Sequence, residues 1–309
     1  VDYVQDGRAV RAHAAREVIV SGGSYNSPQI LMLSGIGPAD HLREMGVTPI
    51  VDLPGVGANL QEHPNFLNVY RAKEKIGLTK YLRLDRATFE VSKWFAARTG
   101  AFATNGATAN VFLRTRPGLD RPDAQLIAMP VNNSAELWAP PFQRPPYCFS
   151  VRLGALHPGS RGWVKLRSSD PAALPRIQFN MLTEPEDMAT MVRALRVCRE
   201  IYGASPLREM IAEEISPGAH LTSDADLAEA IRRDAGHRSH PIGTCRMGLG
   251  EDAVVDAQLR VRGVEGLRVA DASIMPELPS GNTNIPTIMI GEKAADLIRG
   301  RAEARAQAA

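Results

Sequence analysis

Alternation of apolar and polar residues is the dominant pattern in the middle of the chain, from about Asp123 to Phe179. Residues 125–129, 149–153 and 163–166 each alternate over several positions, and Pro-rich breaks such as residues 139–141 separate these runs. A period of two is typical of strands that have one buried face and one exposed face. The pattern therefore predicts an antiparallel sheet in this region.

Elsewhere, apolar residues either recur three or four positions apart, which predicts helices, or form short uniform runs, which predict buried strands. The predicted helices run from about Ser27 to Ser34, Pro38 to Met45, Thr79 to Arg98, Glu184 to Gly203, Ser223 to Arg233 and Pro286 to Arg299. The predicted buried strands are residues 16–20, 47–51 and 267–270. Together with the antiparallel middle, these elements predict an α/β (α+β) fold.

Composition narrows the class of protein. The chain has 309 residues, which at about 150 residues per domain suggests two domains. Its 36 Lys and Arg residues against 34 Asp and Glu give a net charge of +2, so the composition lacks the excess of basic residues that is typical of nucleic-acid-binding proteins. No apolar run approaches the ~18 residues of a membrane span. The 3 Cys residues have neither disulfide nor metal-ligand spacing and favour a reducing compartment such as the cytoplasm.

The first ten residues predict a β-hairpin. Asp6-Gly7 lies between two short alternating runs and is a frequent two-residue hairpin turn. The chain opens at Val1 with no initiator Met and no signal-peptide pattern. Because a protein rarely begins inside a hairpin, we expect a natural N-terminal portion to precede Val1.

A turn from strand to helix near the N terminus is the first candidate ligand site. The buried strand ends at Ser21-Gly22-Gly23, shortly before the first predicted helix. Small residues let a ligand approach the backbone closely, and the free N–H groups of a helix N terminus favour an anion. From the glycine pair alone, a tight turn without a ligand is the simpler interpretation.

Two later segments carry polar residues that could do chemistry. His237 and His240 lie three positions apart, but Pro241 would break any helix that placed them on one face, so no metal site is predicted. Asp271 ends a buried strand, where a carboxylate can accept a hydrogen bond from a ligand hydroxyl. Asn282 precedes the last predicted helix, and by position alone it is interpreted as an N-cap.

Taken together, these segments resemble the signatures of the glucose–methanol–choline (GMC) oxidoreductases, flavoenzymes that oxidise alcohols. Gly23 to Gly37 matches the pattern Gly-Ser-x-x-Ser-Pro-x-apolar-apolar-x-x-Ser-Gly-apolar-Gly throughout. Residues 240–248 read His-Pro-Ile-Gly-Thr-Cys-Arg-Met-Gly and are similar to the family's catalytic-histidine motif. Residues 57–63 are similar to a family segment beside the flavin, in which His63 would be structural. The resemblance covers essentially the whole chain.

The resemblance implies FAD as the cofactor and a small-molecule alcohol as the substrate, oxidised at its CH–OH group to the carbonyl. It implies that His240 takes the hydroxyl proton and Asn282 donates to the developing alkoxide, while a hydride passes to flavin N5. It also implies a partial FAD-binding, Rossmann-like domain in residues 1–63 and 237–309, and a substrate-binding domain in residues 64–236. The residues that it places at the flavin are Gly22, Gly23, Asp271, Ala272, Asn284, Ile285 and Thr287.

The chain also departs from the family pattern. No Gly-x-Gly-x-x-Gly follows a strand, whereas in the family this fingerprint opens the chain and holds the FAD pyrophosphate. The chain therefore resembles the C-terminal portion of a GMC protein, and an inactive fragment without stable FAD is one alternative. A non-redox member similar to the hydroxynitrile lyases is another.

The substrate and the electron acceptor stay open at this point. Residues 104–114 contain no acidic side chain, whereas choline dehydrogenases tend to have a Glu in this stretch. A quaternary ammonium group needs an acidic or aromatic cage. The resemblance thus favours an aliphatic or aromatic primary alcohol, or a polyethylene-glycol-like substrate, over choline itself.

Overall fold

The structure, a computed structural model, describes residues 1–142 and 144–300. Within this part the chain divides into two compact units. The first unit comprises Val1–Glu62, Ser160–Met181 and the described residues from Ser239, and the second comprises His63–Gly159 and Leu182–Arg238. The predicted mixture of helices and strands with an antiparallel sheet is confirmed.

The first unit consists of short paired strands packed against helices. Its described α-helices are Gly23–Leu33, Ala39–Glu44 and Asn284–Ile298, and a 3₁₀-helix covers Ala272–Ile274. Two strand pairs are parallel, Val18–Val20 with Leu267–Val269 and Ile36–Gly37 with Val51–Asp52. Two pairs are antiparallel, Asp2–Gln5 with Arg8–Arg11 and Trp163–Lys165 with Arg176–Gln178. The buried core includes Met32, Leu42 and Val254.

The predicted hairpin at the N terminus is confirmed. Its two strands join at Asp6 and Gly7, whose φ angles are 52° and 74°. Positive φ at both central residues is the backbone of the tight turns that match the right-handed twist of paired strands. Asp-Gly therefore stands at this turn because both residues tolerate that conformation.

The second unit is built on an antiparallel sheet of six strands. The strand order is Ile211–Ser216, Pro64–Ala72, Cys148–Ala155, Ala124–Met129 and Ala109–Leu113, with Gly236–His237 also paired to Pro64–Ala72. Its α-helices are Leu84–Ala97, Pro185–Gly203, Leu207–Met210 and Asp224–Asp234, and a 3₁₀-helix covers Leu78–Tyr81. Phe66 and Leu153 from the sheet are buried with Met191 and Leu195 from the longest helix. This contact forms the core of the unit.

The first helix begins at Gly23, four residues before the predicted start, so the predicted start at Ser27 was wrong. Pro28 consequently lies inside the helix, where its missing N–H leaves the carbonyl of Ser24 without its usual donor. The hydroxyl of Thr244 supplies that hydrogen bond instead, at 2.7 Å. A contact distant in sequence thus makes an interior proline tolerable, which no local pattern could predict.

Two other predicted elements and one predicted domain boundary also differ from the structure. The helix predicted from Thr79 to Arg98 is interrupted, because Leu82 and Leu84 exchange backbone hydrogen bonds with Trp138. The strand predicted over residues 47–51 is reduced to Val51–Asp52. Residues 160–181, expected in the middle domain, belong to the first unit, where Gly162 pairs with Leu60. The roles of the two units, one toward flavin and one toward substrate, stay predictions.

Candidate active site

The carboxylate of Asp271 is the centre of one predicted cluster. It is buried at the end of the strand Leu267–Val269 and accepts hydrogen bonds from Gly23 N–H at 2.9 Å, Ser27 Oγ at 2.5 Å and Ser273 N–H at 2.8 Å. Ala272 begins the 3₁₀-helix that follows it. Asp271 therefore fastens the beginning of the helix Gly23–Leu33 to the end of this strand.

Gly22 and Gly23 provide the backbone for this junction. Gly22 N–H donates to Ser27 Oγ at 2.9 Å, so both glycine N–H groups are used within the protein. Gly23 has a φ of +77°, and a Cβ atom added there would meet no other atom within 4 Å. The residue is thus required for its conformation, and it leaves open space where a ligand could approach the backbone.

The same helix is joined to the segment that contains His240. Ser24 Oγ donates to the carbonyl of Pro241 at 2.6 Å, and the Ser24 carbonyl accepts from Thr244 as described above. The two serines of the Gly-Ser-x-x-Ser-Pro pattern therefore have separate partners: Ser24 binds the His240 segment and Ser27 binds Asp271. These contacts bring two of the predicted clusters together in the first unit.

His240 and Asn282, the two predicted catalytic residues, are adjacent. Asn282 Nδ2 lies 3.2 Å from His240 Nε2. Donation by the amide requires an unprotonated Nε2, which places the imidazole proton on Nδ1. His240 is buried, and Asn282 lies just before Thr283, which is the N-cap of the last helix. The interpretation of Asn282 as an N-cap was therefore wrong, because the helix begins one residue later than that role needs.

Two residues that the sequence analysis did not single out hold the backbone at His240. The His240 N–H lies 2.9 Å from each carboxylate oxygen of Glu62, and Glu62 is buried. The preceding residue, Gln61, exchanges backbone hydrogen bonds with Ile242. Burial, and secondly the negative charge of Glu62, raise the pKa of Tyr25 to about 12, which keeps that phenol protonated beside the carboxylate. The acidic position in residues 57–63 was visible in the sequence, but its partner was not.

Gly243 allows these segments to approach each other. Its φ is +94°, and a Cβ atom added there would lie 2.4 Å from the carbonyl oxygen of Asn59. No side chain fits at that distance without moving the backbone of residue 59. The glycine of the His-Pro-x-Gly pattern therefore permits a close backbone contact two residues after Pro241.

Asn284, Ile285 and Thr287 lie in the first turns of the helix Asn284–Ile298. This helix has no side-chain cap and no acidic residue in its first turn, so the N–H groups of Asn284 and Ile285 lack those partners. Thr287 Oγ1 donates to the Thr283 carbonyl at 2.7 Å. Ile285 is 72% exposed, and Ile288 and Met289 are also more than half exposed. An apolar, planar group with a partly negative edge, such as a flavin, fits these features. The assignment of individual residues to FAD stays a prediction.

The remaining candidate residues are His63 and the three cysteines, and all of them are buried inside the protein. His63 is buried, and its Nε2 lies 3.1 Å from the carbonyl oxygen of Leu156, within the second unit. The three cysteines are buried and free, and burial raises the pKa of each thiol. Over residues 1–142 and 144–300, no group of three or more His, Cys, Asp and Glu side chains could hold a metal ion.

Comparison with known proteins shows the family to which the chain belongs. Models described as GMC oxidoreductase match residues 1–65 and 158–291. An oxygen-dependent choline dehydrogenase of Rhizobium johnstonii is 43% identical over 303 residues, covering 97% of this chain and 55% of that protein. The mitochondrial choline dehydrogenase of Homo sapiens is 42% identical, covering 97% of this chain and 50% of that protein. A solved structure of a formate oxidase variant from Aspergillus oryzae has a TM-score of 0.89 at 29% identity, covering 96% of this chain and 56% of that one.

The chain belongs to the GMC oxidoreductase family. The predicted resemblance is thereby confirmed, as is FAD as the cofactor of the family and of neighbours such as formate oxidase. The chain spans about half the length of the curated relatives it matches. Among the described helices, none is both long and apolar enough to cross a bilayer. The expected compartment stays a prediction.

Proposed function

We propose that this chain carries the proton-transfer residues of an FAD-dependent oxidoreductase that converts an alcohol CH–OH group to the carbonyl. The observation that carries the proposal is the distance of 3.2 Å between His240 Nε2 and Asn282 Nδ2. A proton acceptor and an amide donor at this separation can both reach one hydroxyl oxygen, at about 2.8 Å from each nitrogen.

His240 is the base. Its unprotonated Nε2 accepts the proton of the substrate hydroxyl, and its backbone is held by Glu62 while it does so. General bases of this kind contribute about 10²–10⁴-fold to the rate. Because a protonated imidazole could not accept, this role requires the neutral form of His240.

Asn282 is the donor to the developing alkoxide. As the hydroxyl proton leaves, negative charge grows on the substrate oxygen, and an amide N–H of Asn282 beside it stabilises that charge. FAD, when bound, supplies the two-electron acceptor for the hydride of the carbinol carbon. The residues that would hold its ring are those of the first turns from Asn284, together with the junction at Asp271.

We further propose a neutral primary alcohol as the substrate. Thr108 Oγ1 donates to the carbonyl of Ala128 and Asn110 Oδ1 accepts from Gln125, so these polar side chains already have partners inside the protein. With no acidic residue in residues 104–114, this stretch supplies no counter-charge for a quaternary ammonium group. The relatives named choline dehydrogenase make choline the comparison to test.

The decisive experiment is stopped-flow measurement of flavin reduction under anaerobic conditions with the FAD-loaded protein. His240→Ala should slow reduction by about 10²–10⁴-fold, whereas His237→Ala, an exposed histidine of the same segment, should leave the rate unchanged. Reduction in the His240 variant within a few-fold of wild type would remove His240 from the role of base. Faster reduction by choline than by benzyl alcohol or hexanol would overturn the proposed substrate class and leave the role of His240 intact.

A further inference from the structure

Residues 61 and 62 contact His240 and the loop that leads to Asn282. On the His240 side, Gln61 N–H and its carbonyl pair with Ile242, and the Glu62 carboxylate accepts from the backbone N–H of His240 through both oxygens. Ser239, just before His240, has a φ of +62°, which is a costly conformation for a residue with a side chain. The backbone around His240 is therefore held by Gln61 and Glu62, which are distant from it in sequence.

On the Asn282 side, the side chain of Gln61 holds the loop that leads to Asn282. Gln61 Nε2 donates to the Pro276 carbonyl at 2.8 Å, and Gln61 Oε1 accepts from Leu278 N–H at 3.3 Å. Asn282 follows four residues after Leu278. Gln61 and Glu62 are 2% and 4% exposed, so water competes little for these hydrogen bonds.

We propose that Gln61 and Glu62 are positioning residues that together set the separation and orientation of His240 and Asn282. This inference rests on the proposed function, since it assigns these residues to the same pair. Glu62 fixes the backbone from which the imidazole projects, and Gln61 fixes the loop from which the amide projects. Neither side chain needs to touch the substrate, because each acts through the residue that it holds.

The negative charge of Glu62 strengthens the hydrogen bond that holds the backbone of His240. A backbone N–H that faces two carboxylate oxygens is held by a charge-assisted hydrogen bond, which is stronger than a neutral one. A glutamine at this position offers one acceptor oxygen and no charge. Hence Glu62→Gln should preserve part of the positioning, and Glu62→Ala should lose it.

The first test compares Glu62→Ala, Glu62→Gln and a matched control, Glu90→Gln. Glu90 is also buried and also accepts a backbone N–H, that of Ala101 at 2.7 Å, but it lies in the second unit. We expect flavin reduction to fall by about 10–100-fold in Glu62→Ala, by less than about tenfold in Glu62→Gln, and not at all in Glu90→Gln. The KM for the alcohol should change by less than about threefold, because the lost interaction acts on the reaction rather than on binding.

A second readout does not depend on activity. In protein labelled with ¹⁵N-histidine, the amide proton of His240 should exchange with solvent at least about tenfold faster in Glu62→Ala than in wild type, and at an intermediate rate in Glu62→Gln. In protein labelled with both ¹⁵N-asparagine and ¹⁵N-histidine, Gln61→Ala should shift the side-chain signals of Asn282 and His240. The control Gln29→Ala, which removes a side chain that donates to the Ala173 carbonyl, should not.

The outcomes separate this inference from the proposed function. Rates in Glu62→Ala and Gln61→Ala within about threefold of their controls would overturn the positioning role. A loss of rate that only follows a loss of folded protein, measured by thermal unfolding, would overturn it as well. If no alcohol reduces the wild-type flavin, the proposed function fails, and unchanged His240 and Asn282 signals in both variants would then overturn the positioning role independently.

Discussion

Removing the carboxylate of Asp271 should destabilise the first unit by several kcal/mol. Asp271→Ala leaves three donors without their acceptor: Gly23 N–H, Ser27 Oγ and Ser273 N–H. Hydrogen bonds to a charged group contribute about 1.5–3 kcal/mol each. Ser27 and Ser273 are fully buried, so water cannot replace the acceptor there, whereas Gly23 is half-buried and can recover part of the loss.

The two bonds from the fully buried donors Ser27 and Ser273 sum to a predicted loss of about 3–6 kcal/mol in the free energy of unfolding, if water rescues Gly23 N–H. For a chain of this size, 1 kcal/mol corresponds to about 2 °C in Tm, so the expected shift is about 6–12 °C. Ser27→Ala removes one of the bonds and should cost less. Because the two side chains touch, the double variant should be less destabilised than the sum of the single variants, by about 0.5–3 kcal/mol.

The assay is thermal unfolding followed by circular dichroism, with and without added FAD. The matched control is Asp256→Ala, since Asp256 also accepts two backbone N–H groups, from Gln258 and Arg260, but does so at the surface. The Asp271 shift should persist without FAD, because it arises from hydrogen bonds inside the protein. A Tm for Asp271→Ala within about 2 °C of the Asp256→Ala value would refute the reasoning.

Three further predictions address the site, the pH dependence of stability and the thiols. Asn282→Asp should stay folded, yet reduce flavin about 10²–10³-fold more slowly by stopped flow, because a carboxylate repels the alkoxide and cannot donate to His240; an unchanged rate would contradict this. Burial lowers the pKa of His41 below its ordinary value of 6.5, and His41 Nε2 accepts from Leu166 N–H, so this group contributes stability above that value that is lost as the pH falls below it. The drop in Tm between about pH 7.5 and 5.5 should therefore be smaller in His41→Gln than in wild type, and unchanged in the exposed control His13→Gln; equal drops in all three would contradict it. Finally, Ellman's reagent should leave the three buried thiols of Cys148, Cys198 and Cys245 unmodified in the folded protein and should react with all of them in urea. The reason is that the thiolate is the reactive form and burial raises the pKa of each thiol. Rapid labelling of the native protein would contradict this prediction, because it would show that a thiol is accessible.

The positions of most elements could be predicted from the sequence, because the spacing of apolar residues indicates which face of a helix or strand is buried. The helices at Pro185–Gly203 and Asp224–Asp234 begin within about one residue of the predicted starts, since Pro185 stands in the first turn and Ser223 caps the second helix. The first helix was placed four residues late, because Pro28 looked like a helix start. The distant hydroxyl of Thr244 supplies the hydrogen bond that Pro28 cannot donate to the Ser24 carbonyl.

By itself the sequence determined which residue types were available for chemistry: the His240 motif, Asn282, Asp271 and the Gly-Ser-x-x-Ser-Pro pattern, which together identify the family. The tertiary structure decided which of them meet. Ser27 and Asp271 are 244 positions apart, Glu62 and His240 are 178 apart, and His240 and Asn282 are 42 apart. The roles of Gln61 and Glu62 escaped the sequence analysis for this reason. Local sequence patterns indicate whether a side chain is buried and where the backbone turns. They do not indicate which hydrogen-bond donor a buried carboxylate will meet. Its partner is settled only when the fold brings a particular backbone N–H to within 2.9 Å.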